Sequence, residues 1–492
     1  MNRKISVLAI LFLIFFSFYL HGCLKDNDYS LKVEGGIILQ EDNSKVLVRS
    51  YSTKTEIDIQ GFKGEVMVTN CNDDSKVKGI GDSYEMGSTN ISLKIDNKDK
   101  QNIRIKTPEE NDFKFAVIGD TQGMNHIFKD AVKDMKDIEF LIHLGDLTSS
   151  GKSSGYNDVE RVMNSTGFPV YTTIGNHDVR FGGTERYKNR LAPVQYSFTY
   201  SNYNFIFLNS AQLSITEDQI DWMESKLSSD ERNIIITHAP YYDPFSGSHT
   251  MDDESSGRIV DFIEDHDITA YVSGHIHAYY QDASNGTRRL ITGGGGGSLV
   301  KGEHHYISAE ATQDSLEFTK VPIKTSDRNI YNITVKKGNT QVNYSYQNLL
   351  DQIEVERISS FQNQFGNKRA TGYYEGIKMS TLIEDVGGMS KNDTLLVESI
   401  DGYLQKFGYL NVYPDEEYMK YQGEFILGLE YNNQTIDEWG EGPRAVMMPD
   451  DGYYSNDDCA NTSYPDQGWN VYESAGARWA KYVKTIEVIK DG

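Results

Sequence analysis

The segment Phe113-Lys114-Phe115-Ala116-Val117-Ile118, followed by Gly119-Asp120-Thr121-Gln122, is the most informative stretch of this 492-residue chain. Its unbroken apolar run predicts a strand that is buried on both faces, as strands of parallel sheets are. Asp120 and Gln122 come directly after the strand. Open α/β sheets keep their functional groups at the carboxyl ends of their strands, so this segment predicts an α/β core with a site at its edge.

The same strand pattern recurs further along the chain. Comparable apolar stretches occupy residues 140–144, 170–174, 204–208, 233–236 and 269–272. Helical patterns lie between them, including residues 126–136 and 216–227, where Ile220, Met223 and Leu227 share one face. More β-like stretches follow the five glycines at 293–297, and the α/β character ends near Asp327. Strands that alternate with helices indicate a single α/β core over this middle part of the chain.

Polar residues with metal-binding side chains follow the predicted strands. They are Asp120, Gln122, Asp146, Asn176, His177, His238, His275 and His277. Carboxylate and amide oxygens mixed with imidazoles suit borderline divalent metals such as Mn, Fe, Zn, Co or Ni, whose identity the residues do not decide. Because the carboxyl ends of neighbouring strands meet at one edge of a sheet, these side chains are expected to converge on one metal site.

Short segments around these residues resemble the ordered motifs of the calcineurin-like metallophosphoesterases. The segments are Gly119-Asp120-Thr121-Gln122, Gly145-Asp146-Leu147-Thr148-Ser149-Ser150-Gly151, Gly175-Asn176-His177-Asp178, Thr237-His238-Ala239-Pro240 and Gly274-His275-Ile276-His277. Any one of them alone is a weak signal, whereas the ordered set, with each member after a strand, is specific. The resemblance implies the four-layer α-β-β-α core of that family and a metal-dependent phosphoesterase activity.

The resemblance also implies two overlapping ligand sets. Asp120, Asp146 and His277 would bind one metal, with Gln122 beside them as a further ligand. The second metal would be bound by Asp146, Asn176, His238 and His275. Asp146 would bridge the two metals, because the two oxygens of a carboxylate can each face a cation. Such a metal pair activates water for attack on phosphorus.

His177 adjoins the ligand Asn176 and, by the same resemblance, points at the phosphate instead of at a metal. There it would stabilise the transition state or protonate the leaving oxygen. Asp178 is a candidate to orient His177. Arg180 could clamp a phosphate oxygen, although an ordinary surface arginine explains it equally well.

Two positions differ from the residues usual in calcineurin-like metallophosphoesterases and in purple acid phosphatases. A histidine usually stands where this chain has Gln122, and an amide oxygen is a weaker ligand for a transition metal, so the first site is expected to bind metal less tightly or to prefer Mn or Mg. His126 is an alternative ligand, but its position also fits a helix surface. Purple acid phosphatases have a tyrosine ligand where this chain has Ser149, so no tyrosinate-to-iron colour is expected.

The N-terminus resembles a lipoprotein signal peptide spanning residues 1–23. A basic start at residues 1–4 is followed by an apolar run at 5–20, which ends in Leu20-His21-Gly22-Cys23. This ending resembles a lipobox, in which Cys23 becomes the lipidated first residue. A transmembrane anchor is the alternative, but the run is short for a span of about 20 residues. Either interpretation predicts that the remainder of the chain lies outside the cytoplasm, on the cell membrane.

Composition limits which partners the chain can bind and whether disulfide bonds can stabilise its fold. The chain has 48 basic and 72 acidic residues, a net charge of −24, and such a surface repels nucleic acids. No nucleic-acid partner is therefore expected. Besides Cys23 the chain contains only Cys71 and Cys459, too few for a disulfide scaffold, and a single bridge between these two is left open.

Residues 24–111 show short alternating stretches, such as 45–49 and 65–68, broken by clusters of Asn, Asp and Gly. This pattern predicts a small all-β module. Some exported phosphoesterases carry a β-sandwich at the same place in the chain. The metallophosphoesterase core is assigned to residues 112–326.

Residues 327–492 are rich in Tyr and Gly and predict a β-rich domain. Residues 374–383, 401–403, 442–444 and 478–486 resemble the molybdopterin-binding domain of sulfite oxidase-like proteins. The upstream part that supplies the metal-binding cysteine is missing, and Cys459 falls too late to replace it. No molybdopterin is therefore expected, and the domain is interpreted as a binding or structural module.

Together these observations predict a lipid-anchored, two-metal enzyme that hydrolyses phosphate mono- or diesters at the outer cell surface. Its expected partners are a small phosphate-ester substrate and the membrane. The alternative is a surface-anchored binding or scaffold protein with a vestigial metal site.

Overall fold

The computed structural model describes residues 29–80, 83–297, 299–324, 332–439, 441–471 and 473–490. The predicted signal peptide and Cys23 lie outside these residues. The chain divides into two compact units, Met1–Pro108 and Glu109–Gly492. Among the described residues, none of the helices is both long and apolar enough to cross a membrane.

The first unit consists of two β-sheets. Its strands are β1 (Ser30–Glu34), β2 (Gly36–Glu41), β3 (Lys45–Ser50), β4 (Lys54–Gln60), β5 (Gly64–Thr69), β6 (Lys76–Lys78), β7 (Tyr84–Met86), β8 (Asn90–Ile95) and β9 (Gln101–Lys106). The sheet orders are β1-β4-β9-β6 and β2-β3-β5-β8-β7. Alternate residues of both sheets, such as Val48 and Val66 on one and Ile57 and Ile103 on the other, share one buried core. Because every second residue of these strands is buried, the core lies between the two sheets.

The second unit begins with the α/β core. Its strands are β10 (Phe113–Ile118), β11 (Leu141–His143), β12 (Val170–Thr172), β13 (Tyr196–Tyr200), β14 (Tyr203–Phe207), β15 (Arg232–Ile236), β16 (Ile268–Ser273), β17 (Tyr279–Ser284), β18 (Thr287–Thr292), β19 (His305–Ala311) and β20 (Leu316–Pro322). Its helices are Asn125–Asp134, Ser153–Met163, Gly183–Lys188, Glu217–Glu224 and Asp253–Asp265, with a 3₁₀ turn at Arg180–Gly182.

These strands form two mixed sheets, with the orders β12-β11-β10-β19-β20 and β13-β14-β15-β16-β18-β17. β10, β11 and β12 are parallel, and so are β14, β15, β16 and β18. Parallel neighbours point their carboxyl ends to the same side, so each sheet gathers the loops that follow its strands at one edge.

Aromatic side chains join the two sheets face to face. The ring of Phe205 lies 5.5 Å from that of Phe115 and 5.4 Å from that of Phe140. Helices cover the outer faces: Phe128 of the first helix lies 5.5 Å from the ring of His143 on β11. On the opposite side, the helices Glu217–Glu224 and Asp253–Asp265 contribute Met223 and Ile259 to a core with β14 and β15. The layers therefore follow the order helix, sheet, sheet, helix, as the resemblance implied.

The remaining part of the second unit is β-rich. Its strands are β21 (Asn332–Lys337), β22 (Thr340–Ser345), β23 (Val355–Gln362), β24 (Lys368–Lys378), β25 (Thr394–Ser399), β26 (Leu404–Phe407), β27 (Glu424–Tyr431), β28 (Arg444–Met448) and β29 (Val483–Ile489). Its short helices are Tyr346–Leu350, Met379–Glu384, Tyr409–Val412, Glu416–Gln422, Ile436–Trp439 and Asn456–Asn461, with 3₁₀ turns at Gly468–Asn470 and Ala475–Arg478. The sheet orders are β22-β21-β29-β25-β26 and β23-β24-β27-β28, and one hydrophobic core serves both sheets. We call residues 332–490 the C-terminal region.

Candidate metal centre

The predicted ligands follow strands of both sheets of the α/β core. Asp120, Asp146 and Asn176 come after β10, β11 and β12 of the first sheet. His238 comes after β15, and the pair His275 and His277 comes after β16, both in the second sheet. Because the two sheets pack face to face, the loops at their carboxyl edges meet over the seam between them.

A first group of ligand atoms belongs to Asp120, Asp146 and His277, whose candidate atoms all lie within 4.8 Å of one another. His277 Nε2 is 3.4 Å from Asp120 Oδ1. Carboxylate oxygens and an imidazole nitrogen at this spacing match a divalent-metal site. This is the set that the resemblance implied for the first metal.

A second group meets the first at Asp146. His238 Nε2 lies 3.4 Å from Asp146 Oδ1 and 2.9 Å from Asn176 Oδ1. The ring of His275 lies 5.1 Å from the ring of His238. The four residues implied for the second metal are thus neighbours, and Asp146 is the member that both groups share.

Asp120 shows that the donors suit a cation. Its side chain is fully buried, and Oδ2 accepts a 2.8 Å hydrogen bond from the backbone of His275. Oδ1 has no hydrogen-bond partner among the described residues. An unpaired buried carboxylate oxygen is costly unless a proton donor or a metal balances it. The donor set therefore fits a divalent metal bound at Asp120 Oδ1.

The backbone around the centre is strained. Four residues have positive φ angles, in the left-handed region that residues other than glycine rarely adopt. They are Asp120 at 59°, Gln122 at 45°, Asp146 at 50° and His275 at 66°. A Cβ atom on Gly175 would lie 2.2 Å from Asp146 Oδ1, so only glycine fits there. Strain of this kind collects at functional sites because the surrounding structure holds the ligands in position.

Hydrogen bonds fix Asp146 and His238. Asp146 Oδ1 accepts a 2.8 Å bond from the backbone of His177, and His238 Nδ1 lies 2.9 Å from the carbonyl of Leu144, which leaves Nε2 facing the centre. Burial opposes ionisation of Asp146, but the imidazoles of His238 and His177 hold its pKa well below its usual range. Burial also opposes protonation of His238, whose pKa Asp146 and Asp120 nevertheless raise. Asp146 is thus stabilised in its negatively charged form and His238 in its positively charged form.

Burial, with His238 nearby, lowers the pKa of His275 to about 4, so this ring is neutral and able to bind metal at neutral pH.

Gln122 lies at the centre. Its Nε2 is 3.2 Å from Asp146 Oδ2 and 3.2 Å from His277 Nε2. In this orientation the amide nitrogen faces the ligands, and a half-turn about the last side-chain bond would present the oxygen, which is the atom that binds metals. His126 lies at the start of the helix Asn125–Asp134 and is not a member of the cluster of Asp120, Asp146 and His277.

His177 is held beside the centre. Its Nδ1 is 2.8 Å from the carbonyl of Ser149, so Nδ1 carries the hydrogen in the neutral ring. Nε2 lies 3.9 Å from Asp146 Oδ2, and a quarter of the side chain is exposed. Burial lowers the pKa of His177, Asp146 opposes this shift, and Arg180 adds to it. The ring thus presents Nε2 at the solvent side of the centre.

The role predicted for Asp178 requires correction. Its carboxylate accepts hydrogen bonds from the backbone of Leu147, Thr148 and Gly175 at 3.1, 2.9 and 3.0 Å. It therefore ties the Asp146 loop to the Asn176 loop, and the carbonyl of Ser149 orients the His177 ring instead. Burial and the charge of Asp146 raise the pKa of Asp178 to about 7.

Arg180 is exposed and lies in the turn Arg180–Gly182. Its positive charge adds to the lowering of the pKa of His177. Phosphate clamping by Arg180 stays a prediction.

Supporting residues that the motifs did not reveal come from distant parts of the chain. The backbone N–H of Gly295 donates to the carbonyl of Gly119 at 2.8 Å, and that of Gly297 to the carbonyl of Asp120 at 2.8 Å. The five-glycine run therefore supports the Asp120 loop. Ser149 Oγ donates to the carbonyl of Asp401 at 3.0 Å, which brings the C-terminal region against the centre. The glycine run was visible in the sequence, but nothing local pointed to Asp401.

Comparisons with known proteins agree with this geometry. Residues 113–279 match the model of the calcineurin-like phosphoesterase family, so this part of the chain is a calcineurin-like phosphoesterase domain. The resemblance inferred from the motifs is thereby confirmed for the domain.

Two curated relatives carry phosphodiesterase names. A 3′,5′-cyclic-nucleotide phosphodiesterase from Nostoc sp. is 24% identical over 176 residues, which is 33% of this chain and 65% of the relative. A probable cyclic nucleotide phosphodiesterase from Fibrobacter succinogenes is 25% identical over 115 residues, which is 22% of this chain and 44% of the relative. The chain thus spans less than two thirds of either relative.

Solved structures that the comparison matched include a dimetal phosphatase from Danio rerio. It is 15% identical, with a TM-score of 0.35, and the match covers 44% of this chain and 99% of that one. A purple acid phosphatase from yellow lupin is 13% identical, with a TM-score of 0.40, and the match covers 58% of this chain and 72% of that one.

Proposed function

We propose that the calcineurin-like phosphoesterase domain hydrolyses phosphate mono- or diesters with two divalent metal ions. The observation that carries this proposal is the meeting of two ligand groups at one carboxylate, Asp146. Each group alone fits many metal sites. Their union at one buried residue supports a dinuclear centre.

The proposed ligands of the first metal are Asp120, Asp146 and His277, with Gln122 after its amide has turned. Those of the second are Asp146, Asn176, His238 and His275. When bound, such a pair polarises the phosphoryl oxygens and lowers the pKa of water to near neutrality. Carboxylate, amide and imidazole donors together suit Mn, Fe, Zn, Co or Ni.

The side chains of this protein supply the remaining requirements. The neutral His177 ring, with its hydrogen on Nδ1 and the Ser149 carbonyl behind it, presents Nε2 where the ester would lie. Nε2 would accept the proton that the attacking water releases and donate it to the leaving oxygen. Arg180, at the exposed rim, holds a phosphate oxygen. The proposed site would therefore position the ester beside Asp146, protonate its leaving oxygen and offset the negative charge of its phosphate.

The names of the two curated relatives favour phosphodiesters, and cyclic nucleotides in particular, as the first substrates to examine. Their similarity is limited to part of each protein, so the substrate is proposed on the shared domain only.

Metal reconstitution tests the proposal. Purified protein is loaded with Mn, Zn or Fe and assayed on aryl phosphate mono- and diesters and on 3′,5′-cyclic nucleotides. Asp146→Asn should lower kcat/KM by at least about 100-fold, because one neutral oxygen cannot bridge two cations. The matched control Asp230→Asn changes an exposed carboxylate and should retain full activity.

Equal turnover by Asp146→Asn and the unmodified protein would overturn the proposal. Folded protein that neither binds metal stoichiometrically nor hydrolyses any ester would favour the alternative, a surface-anchored binding or scaffold protein with a vestigial metal site.

The location of the enzyme is a separate part of the proposal. The lipobox-like end of the first 23 residues supports a lipid anchor at Cys23 on the outer face of the cell membrane. Cys23→Ser should abolish incorporation of radiolabelled fatty acid in cells, while the unmodified chain incorporates it. Equal labelling of both proteins would contradict the anchor.

A further inference from the structure

A cavity of about 270 Å³ opens beside the metal centre, where the α/β core meets the C-terminal region. Gln122, Met124 and Gly297 form its wall on the side of the core. Gln122 contacts Asp146 and His277 through Nε2, and Gly297 bonds the carbonyl of Asp120. An ester bound at the metals would thus have this cavity next to its reacting phosphate.

Buried polar atoms without partners lie on the opposite wall. Ser399 is 1% exposed and Trp479 is 2% exposed, and both line the cavity. Neither the Ser399 hydroxyl nor the Trp479 indole N–H has a hydrogen-bond partner among the described residues. Leaving such groups unpaired costs stability, so a ligand group or an ordered water that reaches them would gain hydrogen bonds.

The charges around the cavity balance. Arg444 pairs with Glu441 at 2.8 Å, Lys481 pairs with the same carboxylate, and Asp401 also lines the cavity. Glu441 lies behind the lining residues and is paired with both cations, and Asp401 adds a second carboxylate at the wall itself. A pocket for a second phosphate would need an excess of positive charge. The balance favours an uncharged ligand group that forms hydrogen bonds.

The remaining walls are aromatic, and the space is small. Phe361, Tyr403 and Trp479 line the cavity, and the Arg444 guanidinium lies 5.2 Å from the Phe361 ring centre. Pockets for whole drug-sized ligands measure about 300–1,000 Å³. This cavity therefore suits one part of a larger ester, and aromatic walls favour a planar ring.

We propose that this cavity binds the nucleobase of a nucleotide ester while its phosphate lies at the metal centre. This proposal rests on the proposed phosphoesterase function. It makes the C-terminal region the specificity element of the enzyme, with Ser399 and Trp479 as hydrogen-bonding partners of the base.

Substrates that differ only by a base test the idea. The first pair is uridine 5′-monophosphate and ribose 5-phosphate, which places the nucleoside on the leaving side of phosphorus. The second pair is thymidine 5′-(p-nitrophenyl phosphate) and 2-deoxyribose 5-(p-nitrophenyl phosphate), which places the sugar and its base on the retained side. In at least one pair, kcat/KM should be about fivefold or more higher for the substrate with the base than for the one without it, as base stacking on an aromatic ring predicts.

Variants of Ser399 should reduce that ratio. Ser399→Leu fills the cavity and should bring the ratio close to one, whereas Ser399→Ala removes only the hydroxyl and should lower it about twofold or more. Ser390→Leu, at an exposed serine of the same region, is the matched control and should keep the ratio. Because each ratio compares two substrates of one protein, a general loss of folding or metal cancels.

Binding without turnover provides a second measurement. In saturation-transfer NMR, uridine alone should give a signal with the full chain and lose it with Ser399→Leu. Ratios near one in both pairs, or ratios that neither Ser399 variant changes, would overturn the base pocket while leaving the hydrolase intact. No hydrolysis of the four esters, nor of the aryl phosphates and cyclic nucleotides named above, would overturn the proposed function and this proposal with it.

Discussion

Ser149 Oγ donates a 3.0 Å hydrogen bond to the backbone carbonyl of Asp401, 252 positions further along the chain. The carbonyl of the same serine lies 2.8 Å from Nδ1 of His177. One residue therefore connects the C-terminal region to the ring that stands beside the metal ligands. This connection links the packing of a distant part of the chain to the geometry of the centre.

Ser149→Ala should separate these two contacts, because it removes the hydroxyl and keeps the carbonyl. The free energy of unfolding should fall by about 1 kcal/mol, the usual worth of one hydrogen bond. The kcat should fall about two- to tenfold as the His177 ring loses its fixed support, with metal content unchanged. Urea denaturation and steady-state kinetics provide both readouts. The exposed Ser154→Ala is the control, and an equal effect there would contradict the connection.

Gln122→His should strengthen metal binding at the first site. An imidazole is a better ligand for a transition metal than an amide, and Gln122 lies 3.2 Å from His277 Nε2. We expect the Kd for Zn or Fe at this site to fall at least about tenfold, measured by competition with a chromogenic chelator. An unchanged Kd would show that Gln122 does not occupy a ligand position.

Asp178→Ala should act mainly on stability. It would leave the backbone amides of Leu147, Thr148 and Gly175 without their acceptor, at a cost of about 3 kcal/mol or more in total. The loss should appear in urea denaturation of the metal-free protein. If the variant instead lost activity at unchanged stability, Asp178 would have a chemical role after all.

Stability should depend on the ionisation of Asp401. Burial raises the pKa of Asp401 to about 6, against the opposing charges of Lys481 and Lys484. The folded state therefore holds this proton more tightly than the unfolded state, whose aspartate titrates near pH 4. The contribution is fully present below about pH 4 and declines as the pH rises towards 6. Asp401→Asn should abolish this decline in urea denaturation between pH 4 and 7, and parallel profiles would contradict it.

The thiols of Cys71 and Cys459 are free and buried, so the bridge that the sequence left open does not form in this structure. Burial raises the pKa of Cys71 to about 12, which keeps it in the unreactive thiol form. A Cys23→Ser protein should show little reaction with a thiol reagent when folded. It should show two reactive thiols in denaturant without reductant. A disulfide-linked peptide containing both cysteines would disprove this.

The sequence alone indicated six strands of the α/β core to within a few residues, but it did not indicate β13, β17 or β18. Residues 170–174 were expected in a strand, and the structure has Val170–Thr172; residues 216–227 were expected in a helix, and the structure has Glu217–Glu224. Both successes have local causes. A buried strand is a short apolar run, and Thr216 begins the helix by capping the N–H of Gln219.

The ligand candidates were also visible in the sequence, because each follows a strand directly and parallel strands bring their ends together. Metal-binding chemistry requires particular residue types, so Asp120, Asp146 and the histidines could be recognised in the sequence. The orientation of each side chain did not, which is why Asp178 was assigned to His177 and the carbonyl of Ser149 was not considered.

Only the tertiary structure decided what surrounds the centre. The contact between Ser149 and Asp401, the support of Asp120 by Gly297 and the cavity between Gln122 and Ser399 join segments that are more than a hundred residues apart. Local pattern specifies which elements form, because periodicity and capping act over a few residues. Which loops then meet depends on how whole sheets pack, and no short stretch of sequence contains that information.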